Sequence, residues 1–199
     1  MRRGRRLAYA TLGLVGLEAI VALAAGVISG SAALLGFGVD SVIELTAALA
    51  ALWRLAADLD PARRERAEAA TRVVIGGCFF ALSGFVGYEA VRLLALRIQP
   101  RQSVAGMAIA ALSLVSMPLL ARAKREVALA MGSGALRADA QQSALCGYLS
   151  AILLGGLILN AAIGWWWADP IAALLMLPIM VKEGFEGVRG RSSCGDGCR

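Results

Sequence analysis

The stretch "ALLGFGVDSVIELTAALAALW" (Ala33 to Trp53) is apolar enough to lie in a lipid bilayer, yet it contains two carboxylates. Asp40 and Glu44 are four residues apart, so on an α-helix they lie on the same face, one turn apart. Like charges at this spacing destabilise an ordinary helix, and each charge is costly within hydrocarbon. A shared proton or a bound cation would relieve both costs, and divalent ions readily take carboxylate oxygens. The stretch therefore predicts a membrane helix that carries a site for a cation or for protons.

The composition of the whole chain is that of an integral membrane protein. Of its 199 residues 59% are hydrophobic and 17% are charged, and the mean hydropathy is +0.70. A soluble domain needs more polar surface than this. Six apolar runs are long enough for the ~30 Å hydrocarbon core of a bilayer, namely 7–29, 33–57, 71–96, 103–121, 138–164 and 168–188. We therefore predict an all-α membrane protein with a six-helix transmembrane domain at 7–188, a basic N-terminus at 1–6 and a cysteine-containing tail at 189–199.

The distribution of Lys and Arg predicts the orientation of these helices. The basic residues cluster at both termini and in two connections, Asp58–Ala70 and Arg122–Arg137, which we expect to be cytoplasmic loops. Because cytoplasmic loops carry the excess of Lys and Arg, both termini are predicted to lie in the cytoplasm, with the protein in the cell (inner) membrane. The same clusters account for the net charge of +6 without a nucleic-acid partner.

The N-terminal residues 1–26 have an alternative interpretation as a twin-arginine or Sec signal peptide that ends near Ala24. Glu18 argues against this interpretation because it lies in the middle of the apolar run. Removal of one span would also leave an odd number and upset the charge asymmetry. Glu18 itself is interpreted either as a proton carrier or as a hydrogen-bonding contact between helices. Glu89 lies one turn from Arg92, and the two are predicted to form a local ion pair.

The fifth apolar run contains a second copy of the polar pattern. The second run reads "DSVIE" from Asp40, and the fifth reads "QSALC" from Gln142, at an offset of 102 residues. Each run therefore presents two polar side chains one turn apart, and Asp139 extends the second set along the same face. Two such helices placed face to face would form a four-ligand site at mid-membrane, where transporters often bind their substrates. Cys146 would act there either as a thiolate ligand or as a small apolar filler.

Three segments together resemble the cation diffusion facilitator, or cation efflux, family: "SGSAALLGFGVDSVIE" (29–44), "ALRADAQQSALCGYLSA" (135–151) and "WWWADPIAALLM" (165–176). The resemblance covers essentially the whole membrane part. It implies a six-helix fold, a homodimer, and a divalent metal ion held by paired ligands from the second and fifth helices. The ligand positions that it implies are Asp40, Glu44, Gln142 and Cys146.

The sequence departs from the family pattern in two places. The family typically has His or Asp followed four residues later by Asp in both helices, whereas Gln142 and Cys146 supply an amide and a thiol here. Asp139 is expected to replace the weak amide ligand or to accept a proton. The family's cytoplasmic C-terminal domain has only the tail "RSSCGDGCR" in its place, so the resemblance is to a short form. Cys194 and Cys198 of that tail are interpreted either as a capture site for a soft metal or as incidental thiols.

The expected function is export of a divalent metal from the cytoplasm in exchange for protons, since metal ligands must be deprotonated. Carboxylates and a thiolate together suit Zn²⁺, with Fe²⁺, Co²⁺ or Cd²⁺ as alternatives. The metal would be cargo and not a cofactor. Two other functions stay open: a metal-binding membrane sensor or accessory protein that does not transport, and a proton-coupled carrier of an organic solute. A hydrolytic enzyme is not expected, because the chain has no His and no nucleophile-elbow or H-E-x-x-H pattern.

Overall fold

The chain folds into a bundle of α-helices in the computed structural model, which describes residues 2–56, 61–131 and 134–189. Within these ranges the side chains of 2–8, 47, 50–56, 61–72, 75, 131, 134–139 and 187 are outside the description. The described elements are α1 (Arg2–Ser29), α2 (Ala32–Ala56), α3 (Pro61–Ala95), α4 (Val104–Met131), α5 (Gly134–Ile163) and α6 (Ala168–Val188). The prediction of an all-α protein is confirmed.

Four of these helices contain, within the described residues, an apolar segment long enough to cross a membrane. The segments are Tyr9–Ser29, Gly76–Ala95, Val104–Ala130 and Ala140–Ile163. The two remaining helices contain acidic residues within their apolar runs, Asp40 and Glu44 in α2 and Asp169 and Glu183 in α6. Six membrane spans and cytoplasmic termini therefore stay predictions.

Both long loops that the sequence predicts are largely helical, so that prediction is wrong. Helix α3 begins at Pro61 and α4 continues to Met131, and they include most of the segments 58–70 and 122–137. Proline is favoured at the first helical position because its missing N–H would have no partner there. The segment after Pro61, "ARRERAEAA", and the C-terminal part of α4, "ARAKREVALA", are rich in Ala, Arg and Glu, which are strong helix formers. The helices therefore extend beyond the ends of their apolar runs.

The six helices form a four-helix core with a helix pair packed on one side. In the core α1 contacts α2 and α4, while α5 contacts α2 and α4. Helices α3 and α6 pack tightly on each other and reach the core through α2 and α5. As a result, α1, α2, α4 and α5 surround a common interior, and the residues that point into it come from four distant parts of the sequence.

Three short connections, between α1 and α2, α3 and α4, and α5 and α6, meet at one end of the bundle and are joined there by hydrogen bonds. Gly30 ends α1 with a positive φ of 69°, a conformation that glycine adopts without strain. The Arg101 N–H donates to the Ser29 carbonyl at 2.8 Å, which links the connection after α3 to the end of α1. The Asn160 amide donates to the Pro100 carbonyl at 3.1 Å. This end of the bundle is therefore held together across four helices.

Glycines allow close contact between neighbouring helices within the chain. A Cβ atom on Gly26 would lie 3.0 Å from the Leu35 backbone nitrogen, and one on Gly38 would lie 2.9 Å from the Leu23 backbone nitrogen. Both glycines therefore serve the contact between α1 and α2. Because Gly26 packs inside the chain, it gives no support to a homodimer, which stays a prediction from the family resemblance.

The contact between α3 and α6 gives a testable prediction at Gly76. A Cβ on Gly76 would lie 2.8 Å from the Gly184 carbonyl oxygen and 2.9 Å from the Val188 nitrogen, both of which are backbone atoms. Gly76→Ala is therefore expected to force the two helices apart at a cost of about 1–3 kcal/mol. Thermal unfolding of the detergent-purified protein, followed by circular dichroism, should show a melting temperature lowered by several degrees.

The neighbouring glycine provides a matched control for this variant. A Cβ on Gly77 would meet no atom within 4 Å among the described residues. Gly77→Ala is therefore expected to leave the melting temperature unchanged or to raise it slightly, because alanine is the better helix former. Equal destabilisation by the two substitutions would contradict the close contact at Gly76.

Candidate metal site

Three carboxylates and one thiol lie in the interior of the four-helix core. Glu18 of α1 and Glu44 of α2 are 0% exposed, Asp40 of α2 is 1% exposed, and Cys146 of α5 is fully buried. Glu44 lies about 18 Å along α2 from its first residue, at ~1.5 Å per residue. The interior of an otherwise apolar bundle therefore holds a concentrated set of acidic groups.

Glu18 joins three helices through one carboxylate oxygen. Its Oε1 accepts a hydrogen bond from the Ser41 hydroxyl of α2 at 2.9 Å and one from the Cys146 thiol of α5 at 3.2 Å. The buried Ser113 of α4 also lies beside this carboxylate. Of the two interpretations of Glu18, contact between helices is therefore observed, and its role as a proton carrier stays a proposal.

Glu44 is connected to a buried lysine through a serine. The Ser143 hydroxyl of α5 donates to Glu44 Oε1 at 2.7 Å, and it accepts a hydrogen bond from Lys124 Nζ of α4 at 2.8 Å. Lys124 is only 2% exposed. The interior thus contains a cation as well as three carboxylates.

Asp40 differs from the other two acids in its surroundings. Among the described residues, neither of its carboxylate oxygens has a hydrogen-bond partner. Among the described residues, the charged groups that act on it, Glu44, Glu18 and Glu183, are all of the same sign. A buried carboxylate in such surroundings is costly unless a proton or a cation accompanies it. Asp40 is therefore the strongest single indication that the interior receives a positive charge.

The repeated sequence pattern corresponds to a repeated structural role for its serines. Ser41 and Ser143 occupy equivalent places in "DSVIE" and "QSALC". Each is fully buried, and each hydroxyl donates to a carboxylate of another helix, Ser41 to Glu18 and Ser143 to Glu44. The alignment therefore identified a pair of hydrogen-bonding positions in addition to candidate ligands.

The structure brings together only some of the predicted ligands. Cys146 lies near all three carboxylates, whereas Gln142 is half-buried and makes no hydrogen bond to them among the described residues. The side chain of Asp139 and the tail residues Cys194 and Cys198 lie outside the described residues. In the described part of the chain, no three His, Cys, Asp or Glu side chains form a group that could hold a metal ion. The ligand set therefore stays a proposal.

Glu89 and Arg92 of α3 lie outside this interior and form the predicted ion pair. Glu89 Oε2 is 2.9 Å from Arg92 Nη2 and 3.1 Å from Nε. The prediction is confirmed, and it assigns Glu89 to the surface of the bundle.

Two buried charged residues, Lys124 and Asp169, were not identified from the sequence as part of the interior. Lys124 was counted among the cationic residues of a loop, and nothing in the local sequence distinguishes it from the exposed Arg122 and Arg125. Asp169 lies in "WWWADPIAALLM", a segment used only for the family resemblance. Its signal was its position in the first turn of a helix, next to Pro170.

Asp169 of α6 binds the N-terminus of α2, the helix that carries Asp40. Its carboxylate accepts hydrogen bonds from the Ser31 hydroxyl and from the Ala32 N–H, the latter at 3.1 Å. Ser31 in turn accepts from the Leu34 N–H at 3.0 Å, as an N-cap residue does. A carboxylate at a helix N-terminus also interacts favourably with the helix dipole. Asp169 therefore fixes the position of α2 relative to α6.

Removal of the Asp169 carboxylate is expected to destabilise the protein. Asp169→Ala leaves a buried hydroxyl and a buried N–H without an acceptor, at a cost of about 1–3 kcal/mol. Asp169→Asn keeps one acceptor oxygen and should be affected less. The measurement is thermal unfolding of both variants in detergent. Wild-type melting temperatures for Asp169→Ala would show that these hydrogen bonds do not stabilise the fold.

Comparison with known proteins identifies similar sequences over almost the whole chain. The family model described as the cation efflux transmembrane domain matches residues 8–190. An uncharacterized transporter of Synechocystis sp. is 33% identical over 178 aligned residues, which cover 84% of this chain and 54% of that relative. The chain spans about half the length of this curated relative.

Proposed function

The chain belongs to the cation efflux family, and from that premise we propose that this multi-pass membrane protein exports a divalent metal cation, Zn²⁺ first of all, in exchange for protons. The observation that carries the proposal is the environment of Asp40. Its carboxylate is buried, has same-sign neighbours, and has no hydrogen-bond partner among the described residues. A divalent cation that entered this interior would be attracted by the acidic groups and would relieve their mutual repulsion.

The proposed ligands are Asp40 and Glu44 of α2 and Cys146 of α5, with Gln142 and Asp139 as further candidates. Two of these ligands already make hydrogen bonds, Glu44 with Ser143 and Cys146 with Glu18. Binding of the cargo would therefore replace these hydrogen bonds with bonds to the metal. Carboxylate oxygens and a thiolate sulfur together suit Zn²⁺, and Fe²⁺, Co²⁺ and Cd²⁺ are alternative cargoes.

The contact between Cys146 and Glu18 supports coupling to protons. The Cys146 thiol donates a hydrogen bond to Glu18 Oε1 at 3.2 Å. A thiol must lose its proton to bind a metal. Glu18 is the nearest base, so the proton would pass from Cys146 Sγ to Glu18 as the metal binds. Glu18 would release it on the side from which the metal enters, and a proton taken up from the other side would restore the thiol when the metal leaves. Glu18 is thus proposed as the proton carrier of the exchange.

Binding of Zn²⁺ to the detergent-purified protein is the first test. Isothermal titration is expected to give about one ion per chain for the wild type. The double variant Asp40→Asn/Glu44→Gln should lose this binding, because amide oxygens are weaker ligands than carboxylates and carry no charge. Glu89→Gln also removes one carboxylate, but from the exposed ion pair on α3, and it should bind Zn²⁺ like the wild type.

Other outcomes of this titration would favour other functions. Unchanged binding in the double variant would move the metal away from α2 and towards the cysteines of the tail, Cys194 and Cys198. Absence of binding to the wild type would favour a proton-coupled carrier of an organic solute, with the carboxylates used for protons alone.

Transport into proteoliposomes tests the exchange with protons. Zn²⁺ uptake is expected to be several-fold faster when an opposing proton gradient is imposed, because metal loading displaces protons from its ligands. Glu18→Gln should keep Zn²⁺ binding but reduce this acceleration. Identical uptake with and without the gradient would refute proton exchange. Binding without any uptake would identify a sensor or accessory protein.

A further inference from the structure

Lys124 is a buried cation beside the acidic interior, and the proposed metal chemistry does not use it. It belongs to α4, it is 2% exposed, and its Nζ lies 2.8 Å from the Ser143 hydroxyl. Its neighbours in sequence, Arg122 and Arg125, are exposed. An ammonium group is costly to bury unless a partner of opposite charge compensates it. The contacts of Lys124 therefore bear on the charge balance of the interior.

The hydrogen bonds that connect Lys124 to Glu44 have a defined direction. An ammonium group only donates, so the Ser143 oxygen must accept from Lys124. A hydroxyl has one proton, and that of Ser143 is directed at Glu44 Oε1 at 2.7 Å. The Ser143 hydroxyl thus accepts a hydrogen bond from the Lys124 ammonium and donates one to the Glu44 carboxylate. This arrangement connects an ammonium to a carboxylate through one bridging hydroxyl.

We propose that Lys124 is a tethered counter-cation, which neutralises Glu44 through Ser143 when the site is empty and competes with the divalent cargo for that carboxylate. The inference rests on the proposed function, since the competition takes place at the proposed metal ligands. A divalent ion that binds Glu44 must displace the Ser143 hydroxyl and lie close to the positive charge of Lys124. Lys124 therefore weakens binding of the cargo and favours its release.

The negative charges of Asp40 and Glu44 are balanced in different ways when no metal is bound. Glu44 has a cation two hydrogen bonds away, whereas Asp40 has no hydrogen-bond partner among the described residues. The two carboxylates of one helix face are therefore unequal. The charge of Glu44 is offset within the protein, and that of Asp40 must be offset by what enters the site.

The test measures Zn²⁺ affinity by isothermal titration of the full chain in detergent. Lys124→Met keeps the length of the side chain and removes its charge, and it is expected to bind Zn²⁺ at least about tenfold more tightly. Ser143→Ala breaks the bridge and should shift affinity in the same direction. Arg125→Met removes the neighbouring exposed charge from the same helix and should leave affinity unchanged. In proteoliposomes, Lys124→Met should show a lower KM together with a lower maximal rate, because tightly held cargo leaves slowly.

Several outcomes would overturn the inference. Unchanged or weaker Zn²⁺ affinity in a folded Lys124→Met variant would reduce Lys124 to a structural role. Equal tightening by Arg125→Met would point to a general charge effect. If Lys124→Met does not fold, the double variant Lys124→Met/Glu44→Gln shows whether the charges of Lys124 and Glu44 are paired. Recovery of the fold when both charges are removed supports the pairing, and failure to recover contradicts it.

The same experiment separates this inference from the proposed function. A wild type that binds Zn²⁺ through Asp40 and Glu44, together with an unaffected Lys124→Met variant, refutes only the role of Lys124. A wild type that binds no Zn²⁺ refutes the proposed export of Zn²⁺ and with it the competition. The stability of the Lys124 and Glu44 single and double variants then still shows whether the two residues are paired.

Discussion

The burial of negative charge inside an apolar helix bundle is the constraint on which the rest of this structure depends. Glu18, Asp40 and Glu44 are all inaccessible to solvent, and each would be expensive there without compensation. The polar side chains of the interior are arranged around them: two serines and a thiol donate hydrogen bonds, and a lysine supplies positive charge. Asp40 alone is left without such a donor among the described residues. An interior built only for stability would have apolar side chains in these places.

The division of the bundle into a core and a helix pair separates chemistry from packing. Helices α1, α2, α4 and α5 provide the carboxylates and the groups that bind them. Helices α3 and α6 pack through glycines at which their backbones come into contact, as at Gly76 and Gly184. Asp169 of α6 is the exception, because it binds the N-terminus of α2 and so positions the helix that carries Asp40. The orientation of the acidic face of α2 thus depends on a residue far from that face.

Local regularities could be predicted from the sequence, and contacts between helices could not. Asp40 and Glu44 share a helix face whatever the helix packs against, and the repeated pattern in α5 identified two equivalent serines. The pairing of Glu18 with Cys146, and of Lys124 with Ser143, depends on how helices are rotated and shifted against each other, which hydropathy does not specify. A cluster of charge predicts a loop at the membrane edge, whereas Lys124 is buried within α4. Hydropathy does not predict that α3 and α4 extend beyond their apolar runs. It indicates where a helix leaves an apolar environment, whereas the helix propensity of the residues decides where the helix ends.

The hydrogen bonds between the helix connections have a consequence for how the helices can move against one another. The bonds of Arg101 to Ser29, of Asn160 to Pro100 and of Asp169 to the start of α2 all lie at one end of the bundle. Each would have to break before the helices could separate there, and water would have to replace it. Helices α1, α2, α5 and α6 and the connection between α3 and α4 are therefore tied together at this end of the bundle, where the three short connections lie.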